Sequence, residues 1–158
     1  MKARRKARAV ALQVLFETDC TTHPAELVIA QRLEEQPLSA ELDDFARRLV
    51  AGVLSRAGMV DELIHKHAPE WPLDQMAIID RNILRMAIWE FAVDRQTPLK
   101  VAINEAVELA KLYGSDSAPR FINGVLGALA AREAEVVRLL AAPSKAPTAS
   151  RPPRNAEE

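Results

Sequence analysis

A single cysteine, five glycines and an aromatic share of 4% set the first limits on this 158-residue chain. Cys20 has no second thiol to pair with, so neither an intrachain disulfide nor a cysteine-built zinc cluster can form. That scarcity suits a reduced, cytoplasmic protein in which Cys20 is a half-buried packing residue. Gly52, Gly58, Gly114, Gly124 and Gly127 are too scattered for a phosphate-cradling loop. A G-x-S-x-G elbow and an H-E-x-x-H pair are both missing. His65 and His67 stand two residues apart, which sends them to opposite sides of a helix, whereas a helical metal pair needs a spacing of four. These absences predict no enzyme, no metal and no cofactor.

Long apolar runs are missing too. None approaches the roughly 20 residues that span a bilayer. The apolar stretch after Arg8 is short, is interrupted by Gln13 and leads into acids, so it is not a secretory signal. The arginine-rich start has the look of a transit peptide, but it runs without a break into what reads as core helix. No membrane association is expected.

Net charge is nearly absent, at −1, and a balanced sum argues against a nucleic-acid partner. The sum conceals an asymmetry. Lys2, Arg4, Arg5, Lys6 and Arg8 give residues 1–16 a charge of +5, and the remaining residues carry −6. A basic arm precedes an acidic body.

What is present is helix former. Ala, Leu, Glu, Arg and Lys dominate, and no apolar–polar alternation is long enough for a strand, so the chain reads as all-α. A first helix is predicted over about 3–18, and a second after Pro24. A third starts at the Ser39 cap and is ended or kinked by Gly58, and a short fourth runs from Val60 to His67. The fifth, over about 75–93, is apolar nearly all round and therefore central, with Asp80, Arg81 and Arg85 reaching the surface. Thr97-Pro98 opens the sixth, and a left-handed Gly114 stops it. The seventh begins near Ser117. Residues 143–158 hold four of the ten prolines and cannot build a core, so they are expected to form a disordered tail behind a 1–142 domain.

On the first helix, Arg4 and Arg8 lie one turn apart, and Arg5 and Phe16 share an azimuth at eleven residues. Guanidiniums neutralise phosphate and an in-line ring offers a base a stacking face, a pattern that suits single-stranded nucleic acid. The plain alternative is a solvated helix end. Asn104, Glu105 and Asn123 read as polar residues that tie helices together.

Four segments make the chain recognisable: Arg4-Arg-Lys-Ala-Arg-Ala-Val-Ala-Leu-Gln-Val-Leu-Phe16, Asp80-Arg-Asn-Ile-Leu-Arg-Met-Ala-Ile-Trp-Glu90, Pro98-Leu-Lys-Val-Ala-Ile-Asn-Glu-Ala-Val-Glu-Leu-Ala-Lys-Leu-Tyr-Gly114 and Arg120-Phe-Ile-Asn-Gly-Val-Leu126. In this order they resemble the NusB family of transcription antitermination factors, over about residues 2–131. The resemblance implies about seven helices in two packed helical subdomains. It implies binding of boxA RNA in ribosomal RNA leaders together with the small-subunit ribosomal protein NusE, alongside other Nus factors and RNA polymerase. Carried over residue by residue, it marks Arg4, Arg5, Lys6, Arg8 and Phe16 for RNA. It adds Ser117 and Arg120 from the loop before the last helix, where the family's two adjacent acids are here Ser115-Asp116-Ser117. Asp80 is the matched acid for the partner protein. Both monomers and homodimers occur among such proteins.

The same domain also precedes a methyl-transferring catalytic domain in some ribosomal RNA cytosine methyltransferases, but this sequence has no methyl-donor-binding motif. An interaction adaptor that binds no RNA would also fit the composition. A helix-turn-helix DNA binder fits poorly, because the basic residues precede the first helical hairpin.

Overall fold

The computed structural model describes residues 2–67, 69–70 and 75–141. The proline-rich stretch 143–158, expected to be disordered, lies outside the described residues. Seven α-helices and no strand occur among the described residues: α1 Lys2–Cys20, α2 Ala25–Glu35, α3 Ala40–His67, α4 Ile78–Ile88, α5 Leu99–Tyr113, α6 Ala118–Ala130 and α7 Glu133–Ala141. A π-helical segment, Trp89–Asp94, extends α4.

Two packing units share one core. α1 lies against α2 and α3, α5 lies against α4 and α6, and α4 joins the units by packing on both α1 and α3. The apolar α4 is central as its composition predicts, with Ile83, Leu84, Met86, Ala87 and Ile88 buried. No described helix is long and apolar enough to cross a membrane.

The number of helices agrees with expectation, but the partition differs. α3 runs straight through Gly58. Val53, Val60 and Ile64 continue one buried stripe across that glycine, and their burial outweighs the ~1 kcal/mol by which glycine disfavours a helix interior. Ser39 caps α3 as expected, its hydroxyl accepting from the Leu42 N–H at 3.4 Å. The last helix, α7, is an addition to the expected set. It buries Val136 and Leu140, and Arg56 donates to the Leu140 carbonyl at 3.1 Å near its C-terminal end.

Two details of α4 and α5 also differ from expectation. Thr97 does not cap α5; it is buried and its hydroxyl donates to Glu90 Oε1 at 2.9 Å. Gly114 has φ −94°, outside the left-handed region. Its lack of a side chain serves close approach instead. A Cβ there would stand 2.6 Å from the Ala118 Cβ and 2.9 Å from the Ala110 carbonyl. Among the described residues the left-handed one is Arg95, with φ 62°, whose N–H donates to the Glu90 carbonyl at 2.9 Å and closes the π segment.

Candidate nucleic-acid interface

Arg4, Arg5, Lys6 and Arg8 do not act as a set. The first turns of α1 present one side to α3, the π segment and α5, so the helix period gives Arg4, Arg5, Lys6 and Arg8 different degrees of burial. Arg8 faces inward, with 1% of its surface exposed. Its fork donates to Glu90 at 2.7 and 2.8 Å, and a third nitrogen lies 3.5 Å from Glu105. Arg8 is therefore structural and offers nothing to a phosphate, contrary to its expected place on the RNA surface. Its partners are supplied by segments that α1 meets only in the folded chain.

Arg4 is half-buried, with its guanidinium carbon 4.4 Å from the centre of the Phe45 ring, a cation–π contact. Arg5 and Lys6 are exposed. Arg5 nevertheless has a partner: it donates to Glu105 at 2.8 and 3.1 Å. The hydrogen bond from Arg5 to Glu105, reinforced by that acid's charge, raises the Arg5 guanidinium further above its already high range. Glu105 thus ties α1 to α5, the linking role expected of it. Asn104 and Asn123, expected to do the same, are both exposed.

Phe16 is 40% exposed and, eleven residues on, lies about 16 Å along the same face as Arg5. One turn beyond Phe16, Asp19 accepts from Asn82 at 2.8 Å and lies 3.8 Å from Arg81, at the start of α4. Arg81 and Arg85, expected at the surface, are half-buried. Arg85 forks onto Asp61 at 2.9 and 2.7 Å. Burial works against its charge, yet Asp61 outweighs burial and raises its pKa. Cys20 is exposed rather than half-buried.

The start of α4, the α5–α6 loop and the first turns of α6 enclose an open groove of about 740 Å³. Asp80, Met76, Ser115, Ser117, Arg120 and Phe121 are among its lining residues. Ser117 and Arg120 are exposed, as an RNA-contacting pair requires. Asp80 does not stand on an open surface, where a partner-binding acid was expected. It is 7% exposed, with its Oδ1 close to Gly114, and burial pushes its carboxyl above the usual aspartate value. Phe16 thus lies one turn before Asp19, which meets the start of α4, Ser117 and Arg120 line the groove that the start of α4 borders, and Arg5 and Lys6 lie further back along α1.

Among the described residues no group of three or more His, Cys, Asp and Glu is placed to hold a metal. His65 is exposed, and His67 is half-buried with its Nε2 3.9 Å from Glu135.

Fold and surface together define a small all-α binding module: two helical units with a cationic helix face that leads to a grooved loop. The model of the NusB family matches residues 5–131. The chain is 51% identical over 134 residues to the transcription antitermination protein NusB of Roseiflexus castenholzii, covering 84% of this chain and 94% of that protein. Its fold is similar to that of NusB from T. maritima, with a TM-score of 0.73, 29% identity, and coverage of 85% of this chain and 90% of that one. A chain in the crystal structure of the antitermination factors NusB and NusE in complex with dsRNA is similar at a TM-score of 0.73, with 24% identity and coverage of 87% and 98%. At that identity the likeness is one of fold. The chain belongs to the NusB family.

Proposed function

We propose that this protein is a transcription antitermination factor that binds boxA RNA with the exposed face of α1 and the loop before α6. The observation that carries this reading is the exposure of Arg5, Lys6 and Phe16 on α1, whose last turn meets the start of α4, the element that borders the groove lined by Ser117 and Arg120. Cations along the helix neutralise phosphates, and Phe16 gives a splayed base a stacking face worth about 1–3 kcal/mol. A curated relative at 51% identity is a transcription antitermination protein, and a similarly folded chain occurs in a complex with NusE and RNA, which supports the same reading.

In this proposal residues 1–142 form the RNA-binding domain and the ribosomal protein NusE holds the same RNA. Other Nus factors and RNA polymerase complete the assembly in the cytoplasm. No covalent chemistry is performed. Two weak surfaces on one strand raise the joint affinity, since the second contact is made at high effective concentration. Arg5 binds phosphate only in competition with Glu105, so its contribution is smaller than that of a free arginine.

The test is a fluorescence titration of short single-stranded boxA RNA with and without NusE. The Arg5→Ala, Lys6→Ala double variant is expected to weaken RNA binding at least tenfold and to leave NusE binding in place. Undiminished RNA affinity would instead make the protein an adaptor whose arm is merely solvated.

A further inference from the structure

Arg5 is an exposed cation on the face proposed for RNA, and an acid already holds it. Its Nε donates to Glu105 Oε1 at 2.8 Å and its Nη2 to Oε2 at 3.1 Å. The two partners differ in their surroundings. The Arg5 side chain is 44% exposed and free to swing into solvent, whereas that of Glu105 is 7% exposed and anchored on α5. Glu108, three residues further along α5, adds its charge to the pull on Arg5.

Glu105 has a second cation within reach. Arg8 Nη1 stands 3.5 Å from Glu105 Oε1, the same oxygen that accepts from Arg5 Nε, while Arg8 Nε and Nη2 donate to Glu90. When Arg5 leaves, Glu105 keeps Arg8 as a partner and does not become a buried carboxylate with none. The charge balance opposes that departure without forbidding it. With Arg5 in place, two guanidiniums meet two carboxylates; without it, Arg8 alone faces Glu90 and Glu105. A phosphate that met Arg5 while Glu105 stayed would share one guanidinium with a second anion and be repelled by it. By either route the acid weakens the contact.

We propose that Glu105 is a brake on RNA binding, holding Arg5 until a phosphate draws the guanidinium away, after which Arg8 keeps Glu105 paired. The brake rests on the RNA-binding reading of α1 above and adds its regulation. Glu105 sets the affinity without touching RNA. It lowers the affinity of every strand that uses Arg5. Strands that meet α1 by charge alone therefore occupy it least, and a strand that also stacks a base on Phe16 stays bound. A role in presenting Arg5 to phosphate has the opposite sign, because loss of the acid then weakens binding.

Fluorescence anisotropy with the full chain and short single-stranded boxA RNA tests it. Glu105→Gln removes the charge, keeps the size of the side chain and leaves the Arg8 fork on Glu90, so it is expected to fold. It should bind the RNA about three- to fivefold more tightly than wild type, the range set by a partly exposed ion pair. In an Arg5→Gln background the same change is expected to have no effect, because the gain passes through Arg5. If Glu105→Gln does not fold, Glu105→Asp reads the same step. It keeps a carboxylate near Arg8, falls short of Arg5 by one methylene, and should tighten binding in the same Arg5-dependent way. Equal or weaker binding by the folded variant would overturn the brake, as would a gain that persists without Arg5. Undiminished binding by Arg5→Gln would take Arg5 off the RNA face and overturn the reading beneath the brake. Weaker binding by Arg5→Gln, with no gain from the Glu105 variant, overturns the brake alone.

Discussion

With Arg8 removed, Glu90 would keep its burial and its charge and retain only the Thr97 hydroxyl and backbone around it. Breaking a buried ion pair from one side typically costs about 3–5 kcal/mol, more than the pair itself contributes. Arg8→Ala is therefore expected to lower the denaturant midpoint by that much of the unfolding free energy, with RNA affinity per folded molecule unchanged. Loss of RNA affinity at full stability would show that Arg8 reaches RNA after all. Asp80 predicts the opposite sign. Its folded pKa is raised by burial, so the native state binds the proton more readily than the unfolded chain. Its ionised form thus destabilises the protein above that raised value, and the penalty fades as pH falls through it. Asp80→Asn should be more stable than wild type at neutral pH, with the gap narrowing toward about pH 4 in parallel urea titrations. The residue identities of the arm were legible in the sequence, but their roles were not. Arg8 and Arg5 look alike there, and only partners 82 and 100 positions away separate them.

Two glycines of α3 make contrasting demands on one element. A Cβ on Gly52 would collide with the Trp89 indole, at the start of the π segment, whereas Gly58 has open space. Gly52→Ala should therefore destabilise by about 1–3 kcal/mol through overpacking. Gly58→Ala should stabilise by up to about 1 kcal/mol, since it is in mid-helix and unobstructed. Equal effects in chemical denaturation would contradict this account of α3. Helices were readable from composition and apolar spacing because both are local. Whether Gly58 breaks the helix, and why Gly114 must be glycine, depended on what packs against each. The π segment had no local signature, although it is the segment that carries Glu90 to Arg8.

At the scale of the molecule, the division into a basic start and an acidic remainder was visible in the sequence and survives folding in altered form. Of the arm's described cations, Arg8 is neutralised inside, Arg4 lies on Phe45, and Arg5 and Lys6 remain at the surface. Arg120 joins them through the groove. On the proposed reading, Arg5, Lys6 and Arg120 are the described cations that set the electrostatic share of RNA binding. On a single strand each phosphate neutralised contributes about −0.7 to the slope of log affinity against log salt. The most direct test of the account is that slope, measured for boxA RNA with the wild type, Arg8→Lys and the Arg5→Ala, Lys6→Ala double variant. The account predicts a slope of about −2 for the wild type and Arg8→Lys, and about −0.7 for the double variant. A double variant that keeps the wild-type slope would contradict it.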